Sequence, residues 1–223
     1  MLLRIPAVLT ATQIDEVNTL LAGAEFVDGR LSAGAAAQRV KRNQELSPHA
    51  RQVEQLNGIV MTALVNHPTY KSAALPHRVA TPFYARYGQG MGYGEHVDDP
   101  VMGPGPRYRA DIAVTLFLSA PEVYDGGELV VRTEFGDQSV KLPAGDAILY
   151  PASSLHRVTE VTSGARLAAV TWVQSLVREP AKRELLYDLH LARERLLQDA
   201  PDAPETARIG RVYVNLVRMW AET

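Results

Sequence analysis

Ala110-Asp111-Ile112-Ala113-Val114-Thr115-Leu116-Phe117-Leu118 is a short run of mostly apolar, partly β-branched residues. A turn-forming stretch follows it, ending in Asp125-Gly126-Gly127, and then a second apolar run, Glu128-Leu129-Val130-Val131. Runs of this length, punctuated by glycine, proline and aspartate, mark strands joined by turns. Outward from this point the same rhythm continues through Thr81–Tyr87 on one side. On the other it covers Ser139–Leu142, Asp146–Tyr150, Arg157–Val161 and Leu167–Val173. The intervening turns carry Gly136-Asp137, Pro143-Ala144-Gly145-Asp146 and Ser163-Gly164. Short strands at hairpin-like spacing predict an antiparallel sandwich or jelly roll and argue against a parallel α/β sheet.

Helical patterns flank this β region. Thr12 with Asp15 resembles a capping pair ahead of Ile14, Val17, Leu20 and Leu21, and Gly23 ends the helix. Phe26 to Gln38 has no clear period and is left unassigned. Ser47-Pro48 is expected to open a second helix with Val53, Leu56, Ile59, Val60 and Leu64 at helical spacing, closed by Pro68. Beyond the strands, Pro180 suits a first helical position before the stripe Leu185, Leu189, Ala192 and Leu196. Asp199 to Pro204 breaks that helix, and Ile209, Val212, Leu216 and Met219 share a face of the last one. The expected class is α+β with a mainly β core. Residues 1–78 are read as N-terminal helical support packed on the core, 79–177 as the β domain and 178–223 as a C-terminal helical appendage.

The chain contains no cysteine. This removes thiolate nucleophiles, iron–sulfur ligation, Cys-bearing zinc sites and disulfides, so a metal here must be held by histidine nitrogen and carboxylate oxygen. With 25 acidic against 23 basic residues, the composition carries no electrostatic footprint for nucleic acid or an anionic membrane. Arg4 and Pro6 interrupt the apolar start, Met1 to Leu9, which is therefore not read as a signal peptide. No run reaches the length of a membrane span, and a cytoplasmic protein is expected.

Of the six histidines, only His96 has a carboxylate at a suggestive offset, in Gly94-Glu95-His96-Val97-Asp98. Residues i and i+2 of an extended strand share a side, so His96 and Asp98 are able to grip one ion. His156, opening a later strand after Leu149-Tyr150-Pro151, is the best third ligand. Two histidines and a carboxylate form the facial triad of non-haem Fe(II) oxygenases, which leaves coordination positions for a co-substrate and dioxygen. Arg166 opens the next strand, and its planar guanidinium suits the distal carboxylate of 2-oxoglutarate. Taken singly, His-x-Asp arises often by chance, and a strand-end histidine or arginine is usually structural. Their joint order on one β scaffold carries the reading. His49, His67, His77 and His190 lack partner carboxylates and read as surface or capping residues. Arg39, Lys41 and Arg42 read as a short solvated loop, with contact to an acidic substrate as the alternative.

The stretch from Arg86-Tyr87-Gly88 through Tyr93-Gly94-Glu95-His96-Val97-Asp98 resembles the first metal strand of prolyl 4-hydroxylase-type dioxygenases. Gly126-Gly127-Glu128-Leu129, Tyr150-Pro151 before His156, and Arg166 followed by Trp172 match further pieces, from about Pro82 to Gln174. With its flanking helices the chain resembles the bacterial PKHD-type hydroxylases, a family dependent on Fe(II) and 2-oxoglutarate. The resemblance implies a double-stranded β-helix of the jelly-roll, cupin-like kind. It implies His96, Asp98 and His156 as Fe(II) ligands and as the catalytic set, with Arg166 on the C5 carboxylate of 2-oxoglutarate. Tyr87 resembles a tyrosine that hydrogen-bonds the co-substrate, but its offset to the histidine differs by one residue, and a packed strand aromatic is the equal alternative. Tyr93, Trp172, Thr115 and Leu129 are pocket-lining residues or plain core on the same terms.

The implied reaction is hydroxylation of an unactivated C–H bond with release of succinate and CO2, dioxygen being the oxidant and L-ascorbate a candidate reductant. The substrate stays open between a small molecule, with siderophore-related iron uptake as one setting, and a protein side chain. The loop from Asp99 to 109 reads as a lid or an ordinary connection. The amphipathic terminal helices are compatible with a homo-oligomer. Two rival classes use the same residues: a non-catalytic cupin-like metal-binding or sensor protein, which leaves Arg166 without a role, and a zinc hydrolase, for which no separate general base is in view.

Overall fold

The apolar run around Val114 folds as a strand whose alternate residues enter two different cores. Ile112, Val114, Leu116 and Leu118 pack toward the helices, while Ala113 and Phe117 point into a space between two sheets. This two-residue alternation builds a sheet covered on both faces. The structure, a computed structural model, describes all residues except 36, 104, 106 and 223. The N-terminal part comprises β1 (Leu3–Ile5), α1 (Ala11–Ala22), β2 (Phe26–Asp28), β3 (Lys41–Arg42), β4 (Gln44–Leu46), α2 (Val53–Asn66) and α3 (Pro68–Ala74). The middle holds β5 (Pro76–Val79), β6 (Phe83–Tyr87), β7 (Gly92–His96), β8 (Val101–Met102), β9 (Tyr108–Arg109), β10 (Ile112–Phe117) and β11 (Tyr124–Gly126). It continues with β12 (Leu129–Thr133), β13 (Gly136–Val140), β14 (Ala147–Pro151), β15 (His156–Val158), β16 (Val161–Gly164) and β17 (Arg166–Ser175). Two helices, α4 (Pro180–Asp199) and α5 (Pro204–Trp220), complete the chain.

An eight-stranded sheet runs β1-β14-β10-β17-β6-β4-β2, with β5 also paired to β17, and a five-stranded sheet runs β13-β12-β15-β7-β3. Every pairing is antiparallel, and the two sheets form the expected jelly roll. The space between them is filled at one end by Phe117, Leu129, Val131, Ile148 and Val161. Outside the larger sheet, Val17, Leu21, Leu56, Val60, Leu64 and Tyr70 from the first three helices cover Val114, Leu116 and Leu149. Among the described residues no helix is long and apolar enough to cross a membrane.

Several boundaries differ from the sequence expectation. Helix α1 is capped by Thr10, not Thr12: the Gln13 N–H donates to Thr10 Oγ1 at 3.3 Å, and Gln13 Oε1 accepts the Thr10 N–H at 3.0 Å. Thr12 and Asp15 repeat the same spacing two residues later and mimic that box. The second helix begins at Val53 rather than after Ser47-Pro48: the chain first makes separate turns, the Ala50 N–H donating to Ser47 O and the Val53 N–H to Ala50 O. Pro68 does not merely close α2 but starts α3 as its first residue, where the missing N–H is no loss. The segment 1–78, expected as helical support, also supplies β1 to β4, which extend both sheets. Its strands are two or three residues long, too short to produce a readable period.

The loop after β7 contains a short hairpin, Val101 pairing with Arg109 and Met102 with Tyr108. Residues 104 and 106, within the loop read as a lid or an ordinary connection, lie outside the described residues.

Candidate active site

His96 ends β7 and His156 begins β15, and the two are direct partners across the ladder. Asp98, two residues beyond His96, turns back between them. Its Oδ1 lies 4.0 Å from His96 Nε2 and 3.8 Å from His156 Nε2, and all three side chains are at least nine-tenths buried. His96 Nδ1 is 2.9 Å from Gly94 O, and His156 Nδ1 is 3.0 Å from Ser154 O. A carbonyl only accepts, so each Nδ1 carries the proton and each Nε2 lone pair faces the carboxylate. Burial, with His156 adding to it, pulls the His96 imidazole down to about 4. Burial raises the Asp98 carboxyl, opposed by His156 and by the Trp172 indole. Asp98 Oδ2 and Trp172 Nε1 are both buried without a hydrogen-bond partner. Lone pairs pointed at one another from three groups are unfavourable until a cation sits among them. The candidate ligand atoms all lie within 4.8 Å of one another, a donor set of two nitrogens and one oxygen that fits a divalent metal with open positions.

Arg166, opening β17, is 1% exposed. Its guanidinium lies over the Tyr87 ring at 5.1 Å and the Phe117 ring at 5.5 Å, and Nε has no partner. Among the described residues it makes no ion pair. A buried cation without an anion is costly, so the guanidinium calls for a carboxylate. Gly127 makes room for it: at φ 67° it adopts a left-handed conformation, and a Cβ there would stand 3.2 Å from Arg166 Cδ. Tyr87 is the register partner of Arg166 on β6, and burial pushes its phenol up to about 12.

One cavity of about 940 Å³ joins these groups. His96, Asp98, His156, Arg166 and Tyr87 line it, as do Tyr93, Thr115, Leu129 and Trp172, so the candidate ligand, co-substrate and pocket residues read from the sequence are brought to one place, while Arg39 and Arg42 of the basic cluster are not. Phe83 and Val101, both exposed, mark its solvent side with the half-buried Met102 and Tyr108, and Phe83 is edge-on to Trp172 at 5.7 Å.

Lys41, read from sequence only as part of a basic cluster, lines the cavity too, as do Asn43 and Glu45, which were not found from sequence. The expected solvated loop around Lys41 is instead strand β3, and Lys41 is 7% exposed, with Glu45 at 8%. Their two-residue rhythm was the available signal, but polar residues stand on both faces of that strand and hide it.

Residues 82–174 match the 2OG-Fe(II) oxygenase superfamily, and residues 181–222 match the PKHD-type hydroxylase C-terminal domain. A PKHD-type hydroxylase of Thioalkalivibrio sulfidiphilus is 56% identical over the whole of both chains, and another from Burkholderia ambifaria is 48% identical, again over the whole of both.

The chain belongs to the PKHD-type hydroxylase family.

Among solved structures, a Pseudomonas putida prolyl-4-hydroxylase superposes with a TM-score of 0.53 at 18% identity, covering 78% of this chain and 92% of the other. A Trichoplax adhaerens prolyl hydroxylase, in complex with a hypoxia-inducible-factor peptide fragment, gives 0.56 at 16% identity, covering 83% and 86%. At such identities the likeness speaks for the fold, which is that of these oxygenases. As a PKHD-type hydroxylase the protein is an oxidoreductase, a role that a non-catalytic cupin-like scaffold does not fill. Its family works with Fe(II), 2-oxoglutarate and dioxygen.

Proposed function

We propose that this PKHD-type hydroxylase holds Fe(II) with His96, Asp98 and His156, and 2-oxoglutarate with Arg166 and Tyr87. In this reading it hydroxylates an unactivated C–H bond and releases succinate and CO2. The observation that carries the reading is the buried, unpaired Arg166 guanidinium facing the same cavity as the three candidate ligands. Fe(II) with 2-oxoglutarate supplies the oxidising chemistry; the protein's own residues set where it happens. Gly94 O and Ser154 O hold the two imidazoles in one tautomer with Nε2 inward. Arg166 grips the far carboxylate of the co-substrate through paired N–H donors, and the Tyr87 hydroxyl, protonated well beyond neutral pH, stands beside it as a further donor. Leu129 and Val158 give the cavity apolar walls that help exclude bulk water, and Phe117 packs in the core behind Leu129. Phe83, Met102 and Tyr108 on its solvent side suit a substrate that presents an apolar, C–H-bearing part.

The deciding experiment is succinate release by the purified protein, measured with and without Fe(II) and 2-oxoglutarate, beside the Arg166→Ala variant. Activity that needs neither additive, or an Arg166→Ala enzyme with unchanged 2-oxoglutarate affinity, would remove the assignment. Incubation with cell extract and a mass search for products gaining one oxygen atom separates a small-molecule acceptor, siderophore-related or not, from a protein side chain. Ascorbate is proposed as auxiliary reductant on family resemblance alone, and stimulation of succinate release on its addition checks it. Self-association is proposed through α4 and α5, where Leu185, Leu191, Val212 and Met219 are exposed; light scattering reads it directly.

A further inference from the structure

Lys41, Asn43 and Glu45 line the cavity from a segment outside residues 82–174, and the reading above gives Lys41 and Glu45 no task. Strand β3 belongs to the five-stranded sheet and β4 to the eight-stranded one, so this segment crosses between the sheets. Across that crossing Lys41 Nζ meets Glu45 Oε1 at 2.5 Å, and it also donates to Ser32 Oγ at 3.0 Å. A buried ion pair is a poor source of stability, because removing two charges from water costs about as much as their attraction returns. What it fixes is a location. The ammonium is held 5.3 Å from the centroid of the Tyr93 ring, and Lys41 and Tyr93 are register partners on β3 and β7. The Tyr93 ring in turn stacks on the His96 imidazole, centroids 3.6 Å apart and planes 15° from parallel.

We propose that Lys41, anchored by Glu45 and Ser32, is a positioning residue that orients His96 through the ring of Tyr93. The inference rests on the reading of His96 as a metal ligand. The Gly94 carbonyl restrains the imidazole only at its Nδ1 edge, and a single hydrogen bond tolerates some tilt of the ring plane. The stacked tyrosine removes that freedom, and the cation held near the tyrosine ring keeps the tyrosine in place. Asn43 marks the corner of the same device: Gly29 N–H donates to Asn43 O at 3.0 Å and ties the crossing segment down.

The test uses the full chain and Co(II) without 2-oxoglutarate, reading affinity by calorimetry and ligand geometry by the visible absorption of the bound ion. The paired variant K41M/E45Q removes the cation and leaves no unpaired buried charge. It is expected to bind Co(II) about tenfold more weakly with an altered spectrum, since contacts beyond the ligands are typically worth ten- to a hundredfold in metal affinity. Y93L is expected to do the same, Y93F and K41R to stay near the wild type, and K41M/E45Q/Y93L to lose no more than Y93L alone. Losses that add in the triple variant, or a K41M/E45Q protein with wild-type affinity and spectrum, overturn the inference. If K41M/E45Q does not fold, E45Q, which frees the ammonium from its anchor, replaces it under the same criteria. Wild-type protein that binds no Co(II), or an H96A variant that binds it normally, instead defeats the ligand assignment beneath it.

Discussion

Replacing Arg166 by methionine should move two measurable quantities in opposite directions. In the ligand-free protein the guanidinium is 1% exposed and has no ion-pair partner among the described residues. The effective desolvation penalty of such an ion is several kcal/mol. Cation–π contact with Tyr87 at 5.1 Å and Phe117 at 5.5 Å returns about 1 kcal/mol each. Methionine keeps most of the volume and removes the charge, so Arg166→Met is expected to stabilise the ligand-free protein by about 1–2 kcal/mol. For a chain of this size that is a rise of roughly 2–8 °C in melting temperature. The same change deletes a bidentate, charge-assisted carboxylate contact. Its loss is worth about 2–4 kcal/mol, or roughly 30- to 1000-fold in the dissociation constant of 2-oxoglutarate. Scanning calorimetry without co-substrate and titration of 2-oxoglutarate into Mn(II)-loaded protein read the two effects separately. A destabilised ligand-free variant would show that Arg166 is already satisfied within the fold, and unchanged 2-oxoglutarate binding would show that it faces the wrong ligand; either result refutes the reasoning.

Asp98→Asn keeps the shape of the side chain but removes the anionic donor, and should abolish Co(II) binding in calorimetry while leaving the melting temperature of the metal-free protein unchanged or raised. Gly127→Ala forces a Cβ onto a left-handed backbone position, 2.9 Å from Val161 Cγ2 and 3.2 Å from Arg166 Cδ. It should cost about 1–3 kcal/mol by denaturant titration and weaken 2-oxoglutarate binding by displacing the guanidinium. Burial lifts the Tyr87 phenol from the ordinary 10 to about 12, so the folded state prefers the protonated form. Its contribution is complete below pH 10 and is lost as the pH climbs toward 12, about 2–3 kcal/mol at most. Alkaline titration of tyrosinate absorbance, compared with Tyr87→Phe, should show one late-ionising group missing in the variant.

The division of labour between sequence and tertiary structure is visible in particular residues. Ile112 to Phe117 announces a strand by itself, because β-branched and large apolar side chains bounded by turn residues have few other folded uses. His96 and Asp98 are legible as a pair because both belong to one local geometry, a strand end and the residue two beyond it. Turn glycines such as Gly126 and Gly127 are legible because their positive φ values exclude most other residues. Local chemistry was ambiguous where two segments offered the same signal, as Thr10 and Thr12 do ahead of α1. The meeting of His156 with His96, the burial of Arg166 without a partner and the turn of Lys41, Asn43 and Glu45 into the cavity are of another kind. Each depends on which strands lie side by side and in what register, and register is set by packing between residues far apart in the chain. So the sequence by itself determined the longer strands of the core and offered one candidate ligand set, His96, Asp98 and His156. Only the tertiary structure decided that a polar N-terminal segment, unremarkable as text, would cross between the two sheets and line the cavity of the candidate ligands, because two- and three-residue strands acquire their direction from the sheets they join.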